Sequence, residues 1–363
     1  MTPLQQIIIE RIERDGPIPF ADYMHMALYE PQYGYYVSGA PRIGWEGDYY
    51  TSTDLSSLFA SCMGRQLQQM WEKLKRPSPF IVVEQGAGRG HLAQSIASWA
   101  QQEVPDFHKA LNYHREDIRF GQNAIMELPT STDTERAPSV ILSNELIDAF
   151  PVHIVEVRDT RLYEVYVDVQ NGRLCEVLDE PSLPQLATYL EHYTIPWQSF
   201  GDGWRAEINL DALHWIEHSA QRIAKGFILT IDYGEKAKQL YIRERRHGTL
   251  MCYYQHQMNE RPLAYPGQQD ITAHVNFSAL IDQGRRHGLR LNTFTTQRLW
   301  LERMGIYEEA EQLRKHKFAI MDTERATDQG QVARLQWLNL RHRIAALTEP
   351  TGMGNFKVLI LRR

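Results

Sequence analysis

Seven residues, Glu84-Gln85-Gly86-Ala87-Gly88-Arg89-Gly90, directly follow the apolar run Phe80-Ile81-Val82-Val83. The run reads as a strand, and the seven as the glycine-rich turn at its carboxyl end. Glycines there let the backbone approach a bound adenosyl cofactor without a Cβ in the way. A dinucleotide turn, Gly-x-Gly-x-x-Gly, would need glycine at position 91 if counted from Gly86, and that position is His91. An acidic residue followed by Gly-x-Gly-x-Gly instead suits S-adenosylmethionine (SAM). Another nucleotide, or a tight turn with no ligand, are the competing readings. A second polar group, Ser143-Asn144-Glu145-Leu146-Ile147-Asp148, stops the apolar strand Val140-Ile141-Leu142. In an open α/β sheet such residues sit at the carboxyl edge, where ligands bind. That places Asn144, Glu145 and Asp148 near a transferable methyl group.

The elements that position these residues alternate between strand and helix, which favours a mostly parallel sheet covered on both faces. Residues 2–14 read as a helix with Leu4, Ile7, Ile8 and Ile12 on one side, ended by Gly16-Pro17. A long helix is expected from Asp54 to Lys75, and another from His91 to Gln101 after the glycine turn. The segment Leu111 to Asp117 offers a short strand with Glu116 or Asp117 as the acid for ribose hydroxyls; a surface helix start explains either equally well. From Val152 to Glu180 the pattern becomes alternating strands with a hairpin signal at Asn171-Gly172, a β-meander inserted between core strands. The strands Phe227 to Ile231, Leu289 to Phe294 and Phe356 to Leu361 follow. The last two fit the antiparallel pair that finishes a methyltransferase sheet.

A chain of 363 residues is too long for one ordinary core. We expect an amino-terminal helical and loop lobe over residues 1–76 that covers the active site. A core over 77–363 would follow, with 152–205 as the inserted meander and a helical segment. A formal charge of −6 argues against a nucleic-acid binder, which needs a basic field to engage phosphates. The basic stretch Arg243-Glu244-Arg245-Arg246-His247 reads as a solvated face. Three scattered cysteines, Cys62, Cys175 and Cys252, without Cys-x-x-Cys, suggest a reducing compartment and no zinc site. No apolar stretch approaches the roughly 18 residues needed to span a bilayer, and the start lacks a secretory signal. The reading is a cytoplasmic protein, or a mitochondrial-matrix one if a targeting segment has been removed.

Seven segments together resemble the MidA-like family over nearly the full chain. They are Tyr33-Gly34-Tyr35-Tyr36, Gly47-Asp48-Tyr49-Tyr50-Thr51-Ser52, Glu84 to Gly90, Ser143 to Pro151, Ile231-Asp232-Tyr233-Gly234, Asp270 to Phe277 and Gly352 to Lys357. The resemblance implies a Rossmann-like class I SAM-dependent methyltransferase core and SAM as cofactor. For mitochondrial members it implies symmetric dimethylation of an arginine on a core subunit of NADH:ubiquinone oxidoreductase, and hence a role in complex I assembly. Two departures stand out. About three residues are missing between the expected ribose-binding acid and Ile118-Arg119-Phe120-Gly121-Gln122, and Ala87 stands where proline is common.

An arginine acceptor gives the polar residues roles. Guanidinium is charged, delocalised and donor-only. Carboxylates that grip its fork can orient one nitrogen, hold the charge and receive a proton. Glu145 and Asp148 are the candidates for that clamp, with Asn144 positioning the nitrogen or the methyl donor. The plain alternative is that Asp148 caps the turn before Pro151 and Glu145 is merely exposed. Gly86, Ala87, Gly88 and Gly90 are assigned to the cofactor, with Glu84 ordering the turn or meeting the methionine amino group and Glu116 on the ribose. Thr51 and Ser52 could close over SAM, although Ser52 or Thr53 capping the long helix fits equally. Tyr35, Tyr233 and His274 are candidates for the substrate side, with Asn276 a weaker one. Two other functions compete: a methyltransferase of a small molecule or of a different protein residue, and an assembly chaperone that binds SAM or a client subunit without turnover. The meander and the amino-terminal lobe could form a client surface or a homodimer interface. S-adenosylhomocysteine should bind in the micromolar range by calorimetry, and Gly88→Val should abolish that binding.

Overall fold

The computed structural model describes residues 2–38, 57–117, 137–255 and 257–363. The expected Gly47 to Ser52 segment, with Thr51 and Ser52, and Ile118 to Gln122 lie outside the described residues. Helix α1 (Pro3–Asp15) starts at a Thr2 cap that accepts from the Gln5 amide, and helix α2 (Phe20–Tyr29) follows the two-residue strand Ile18–Pro19. Helix α3 (Ser57–Lys73) precedes strand β1 (Phe80–Gln85), which runs through the glycine turn into α4 (His91–Glu103).

The main sheet continues with β2 (Leu111–Glu116), β3 (Val140–Asn144), β4 (Phe227–Asp232), β5 (Arg290–Thr296) and β6 (Lys357–Arg362). Its order is β5-β6-β4-β3-β1-β2. Strands β2, β1, β3 and β4 are parallel. β6 lies antiparallel between β4 and β5, as the two late strands suggest. Residues 111–116 form a full strand, paired from Phe80↔Leu111 to Gln85↔Glu116.

Alternation of side chains sorts the central strands between two apolar layers. Val140, Leu142, Phe227, Leu229 and Ile231 pack with Phe59, Met63 and Leu67 of α3 and Leu92 and Ile96 of α4. Ile141 and Ile228 face the opposite way, against Trp215 and Ile216 of α5 (Asp211–Arg222) and Phe277 and Leu280 of α6 (Phe277–Arg286). Both faces are therefore covered, which explains why the central strands read as continuous apolar runs.

A second sheet joins His153–Arg158, Arg161–Gln170, Arg173–Asp179 and Arg205–Ile208, all antiparallel, with Ile18–Pro19 against Tyr166 and Val167. One side of it packs with Leu4, Ile8, Phe20 and Met24 of α1 and α2. The first 38 residues thus rest on this sheet, while α3 rests on the main one. A third, three-stranded sheet joins Met251–Tyr254 to Gln257–Asn259 and to Asp270–Thr272. Among the described residues no helix is long and apolar enough to cross a membrane.

The end of β2 is tied across the sheet. Arg222 grips the buried Glu116 carboxylate with both terminal nitrogens, at 2.8 and 3.1 Å, and Gln85 Nε2 donates to it at 2.9 Å. Gln85 Oε1 accepts from Trp215 Nε1 at 2.9 Å. Removing one partner of such a pair strands a charge in low dielectric. Arg222→Ala should therefore cost about 3 kcal/mol, read as a lower urea midpoint with an unchanged slope.

Candidate active site

The carboxyl ends of β1, β3 and β4 lie side by side, because these strands are parallel neighbours. At the end of β1, Gly86, Gly88 and Gly90 all hold positive φ, at 71, 51 and 75°, a region that only glycine enters freely. Gly86 and Ala87 donate to the Glu116 carbonyl at 2.9 and 3.3 Å. The Gly88 amide donates to Asp117 Oδ2. Space around the glycines differs. A Cβ on Gly86 would meet Leu146 Cδ1 at 2.9 Å and one on Gly90 would meet the Arg115 guanidinium, whereas one on Gly88 would meet no atom of the described residues within 4 Å. The backbone at Gly88 is thus open on the side where a Cβ would stand, and Gly86 seats the turn against the loop that follows β3.

That loop carries the predicted carboxylates. Glu145 has φ 52°, a left-handed conformation that strains a residue with a side chain by about 1–3 kcal/mol. What holds it is backbone pairing and one buried acid. The Glu145 amide donates to the Ile231 carbonyl at 2.8 Å. Asp232 Oδ2 then accepts from the amides of Leu146, Ile147 and Asp148 at 3.3, 2.9 and 3.3 Å, and Oδ1 accepts from the Tyr233 amide at 2.9 Å. Asn144 Nδ2 donates to Glu145 Oε1 at 3.0 Å, and the Tyr233 hydroxyl donates to Asp148 Oδ2. Two acceptors, Asn144 Oδ1 and Asp148 Oδ1, are buried with no hydrogen-bond partner among the described residues. Burial raises the Asp148 carboxyl to about 6. Burial, and then the charge of Asp148, raise Asp232 well above the ordinary carboxylate range, since two neighbouring buried carboxylates disfavour a second charge.

The structure brings Asn144, Glu145, Asp148 and Tyr233 together and places the other predicted residues around them. His274 meets the Tyr233 ring edge-on at 5.5 Å. Burial, helped by Arg245, lowers its imidazole to about 4, so it is neutral, and its Nδ1 is buried without a partner among the described residues. Asn276 is a helix cap: its Oδ1 accepts from the Ser278 and Ala279 amides and its Nδ2 donates to Tyr189. Tyr35 is 2% exposed within the amino-terminal core, so the substrate role expected for it falls to no surface of that ring. Its neighbour Tyr36 reaches the site instead, donating to Asp270 Oδ1 at 2.7 Å, while Tyr29 donates to the Ala149 carbonyl at 2.8 Å.

Glu116 also differs from expectation, because its carboxylate is held by Arg222 and Gln85; Asp117 is the acid that reaches the glycine turn. The Asp148 carboxylate accepts from the Tyr233 hydroxyl. The Arg243 to His247 stretch is largely exposed, as a solvated face is, with Arg243, Arg245 and Arg246 also donating to the carbonyls of Ser199, Leu240 and Asp202. Sequence reasoning passed over Asp232 as a site residue. Its signal was an acid directly after a strand that is apolar but for Thr230, much as Glu84 follows Phe80 to Val83. A cavity of about 310 Å³ between Leu313, Phe318, Leu340 and Arg343 shares no lining residue with the turn or this loop.

A doubly covered sheet with a glycine turn after its central strand, and an acid-rich loop beside that turn, defines a SAM-dependent methyltransferase of the class I type. The chain belongs to the Methyltransf_28 family, described as "Putative S-adenosyl-L-methionine-dependent methyltransferase", whose model matches residues 62–295. A protein arginine methyltransferase NDUFAF7 homolog, mitochondrial, of Drosophila melanogaster is 27% identical over 97% of this chain and 83% of its own. The protein arginine methyltransferase NDUFAF7, mitochondrial, of Rattus norvegicus is 28% identical over 84% of this chain and 75% of its own. A crystal structure of a COG1565 superfamily member from Burkholderia thailandensis, bound to S-adenosyl-homocysteine, superposes with a TM-score of 0.82. It is 27% identical, over 99% of this chain and 92% of that one.

SAM is the cofactor, and the open backbone at Gly88 between two positive-φ glycines fits it. Bound there, it supplies a methyl group already made electrophilic by the sulfonium. Glu84 lies beneath this turn, 4% exposed, and accepts from the Tyr113 hydroxyl at 3.0 Å. Burial pushes its carboxyl from 4.5 up to about 7. The folded state therefore holds this proton more tightly than the unfolded chain does. Its stabilising contribution is complete below about 4.5 and is lost as pH rises through about 7. Thermal stability should fall as pH rises from about 4.5 to about 7 and level off above that, and Glu84→Gln should flatten that fall.

Proposed function

We propose that the protein is a protein arginine N-methyltransferase. The observation that carries this reading is a pair of buried acceptors with no donor among the described residues, Asn144 Oδ1 and Asp148 Oδ1, at the ends of a five-residue segment that also holds Glu145. A guanidinium has five donors and no acceptor, so it complements such a set. The names of the Drosophila and rat relatives support the same acceptor. From the family resemblance, the substrate is a core subunit of an NADH:quinone oxidoreductase, or a subunit of that type.

The residues divide the work as follows. Asn144 fixes Glu145 through its amide, and Glu145 with Asp148 grips the guanidinium fork so that one nitrogen faces the methyl group. Such alignment lowers a bimolecular barrier by about 7–11 kcal/mol. The nitrogen sheds a proton as the new carbon–nitrogen bond forms. Asp148, raised to about 6, is a better base than an ordinary aspartate and is ionised at neutral pH. Tyr233 holds one of its oxygens and leaves the other for the acceptor. On this reading the ribose acid is Asp117, since Glu116 is held by Arg222.

Two measurements test the proposal. Glu145→Gln should lose at least about a hundredfold in turnover of arginine peptides while S-adenosylhomocysteine affinity stays within a few-fold. Unchanged turnover, or wild-type binding of a client subunit without any methyl transfer, would move the function to a small-molecule acceptor or to a non-catalytic chaperone. Asp148 must be unprotonated to act, so kcat/KM should decline as pH falls below about 6, and Asp148→Asn should be slow with no such decline.

A further inference from the structure

The three-stranded sheet beside the site has two unlike faces. Its register sets Cys252 opposite Ile271 and Asn259, and sets Tyr253 opposite Asp270 and Met258. Residues opposite one another on neighbouring strands point the same way, and successive residues alternate. Cys252 and Ile271 thus share the face buried in the amino-terminal core. Thr272, Met251, Asp270, Tyr253 and Met258 share the other.

That second face starts at the candidate active site. The Ala273 amide, directly after Thr272, donates to the Asp148 carbonyl at 2.9 Å. Tyr253 is half-buried opposite Asp270, and burial, then the charges of Asp270, Asp148 and Glu145, raise its phenol. The face ends at Met258, which at 70% exposure is the most exposed large apolar side chain among the described residues. A row of side chains therefore runs from the acid-rich loop to an apolar thioether in solvent. Methionine there can adapt to apolar partners of different shape.

We propose that this face is an outer substrate subsite, which takes an apolar side chain of a protein segment whose arginine is held at Glu145 and Asp148. The inference rests on the arginine reading above. Strands are about 4.8 Å apart, so two steps from Asp270 to Met258 cover about 10 Å, and an extended segment covers that in about three residues. Counted from Asp270, whose strand meets the acid-rich loop at Ala273, the apolar residue stands about three positions or more from the arginine. A single methionine beside a half-buried tyrosine matches one side chain, not the roughly 800 Å² per partner that a stable dimer buries.

The test is calorimetry on the full chain loaded with S-adenosylhomocysteine. The probes are peptides of glycine and serine with one central arginine, and one leucine moved stepwise away from it on either side. Leucine about three positions from arginine should tighten binding about tenfold over the leucine-free peptide, the effect of burying about two methylene groups. Met258→Asp, at an exposed position, should remove that gain and leave S-adenosylhomocysteine and leucine-free peptide binding unchanged. A gain at no position, or a gain that survives Met258→Asp, overturns the subsite. A parallel series with lysine for arginine separates the two ideas: a leucine gain that depends on Met258 but with equal affinity for lysine upholds the subsite and removes the arginine preference. If no peptide of either series binds, both are wrong.

Discussion

Asp232 is the group on which the site's geometry depends. Its carboxylate is fully buried at the end of β4 and accepts four backbone amides, three of them from the loop after the neighbouring strand. A buried carboxylate without donors would cost several kcal/mol; four amides offset much of that. They also fix the conformation of Leu146, Ile147 and Asp148, and so stabilise the left-handed backbone at Glu145. An interaction between two strand ends thereby turns a short loop into a rigid holder for Asn144, Glu145 and Asp148. The same loop presents Leu146 to Gly86, so the acid-rich loop and the glycine turn pack as one unit. A cofactor and an acceptor can then be held in fixed relation without a moving domain.

The outer wall is built differently. Tyr29 and Tyr36 stack at 5.6 Å and reach Ala149 and Asp270 from the amino-terminal lobe. The first 38 residues are themselves anchored by the pairing of Ile18–Pro19 with Tyr166 and Val167 of the second sheet. The second sheet, which lies between β3 and β4 in the chain, therefore supports the segment that carries Tyr29 and Tyr36. Buried acids recur along this path. Glu207 accepts the Thr249 and Leu250 amides at 2.9–3.3 Å and fixes the segment leading into Met251–Tyr254. Like Asp232, it satisfies amides of a neighbouring loop with a carboxylate, and burial raises it as well.

The sequence alone determined a good deal about this protein. Central strands buried on both faces must be largely apolar, so Phe80 to Val83, Val140 to Leu142 and Phe227 to Ile231 were legible as runs, and the polar residues that end them marked the ligand edge. Glycine's unique access to positive φ made the turn at 86–90 legible too, and the ordered set of motifs pointed to the family and to SAM. Tertiary structure alone decided which acids serve the site. Glu116 and Asp117 are adjacent and chemically alike, yet one meets Arg222 from a helix 106 positions away in sequence and the other meets Gly88. Tyr35 and Tyr36 divide in the same way, one into the core and one toward Asp270. Asp232 acquires its role only when β4 lies beside β3. Composition and period report which face a residue can take within its own element; the partner it meets depends on the strand order and register that bring distant segments together.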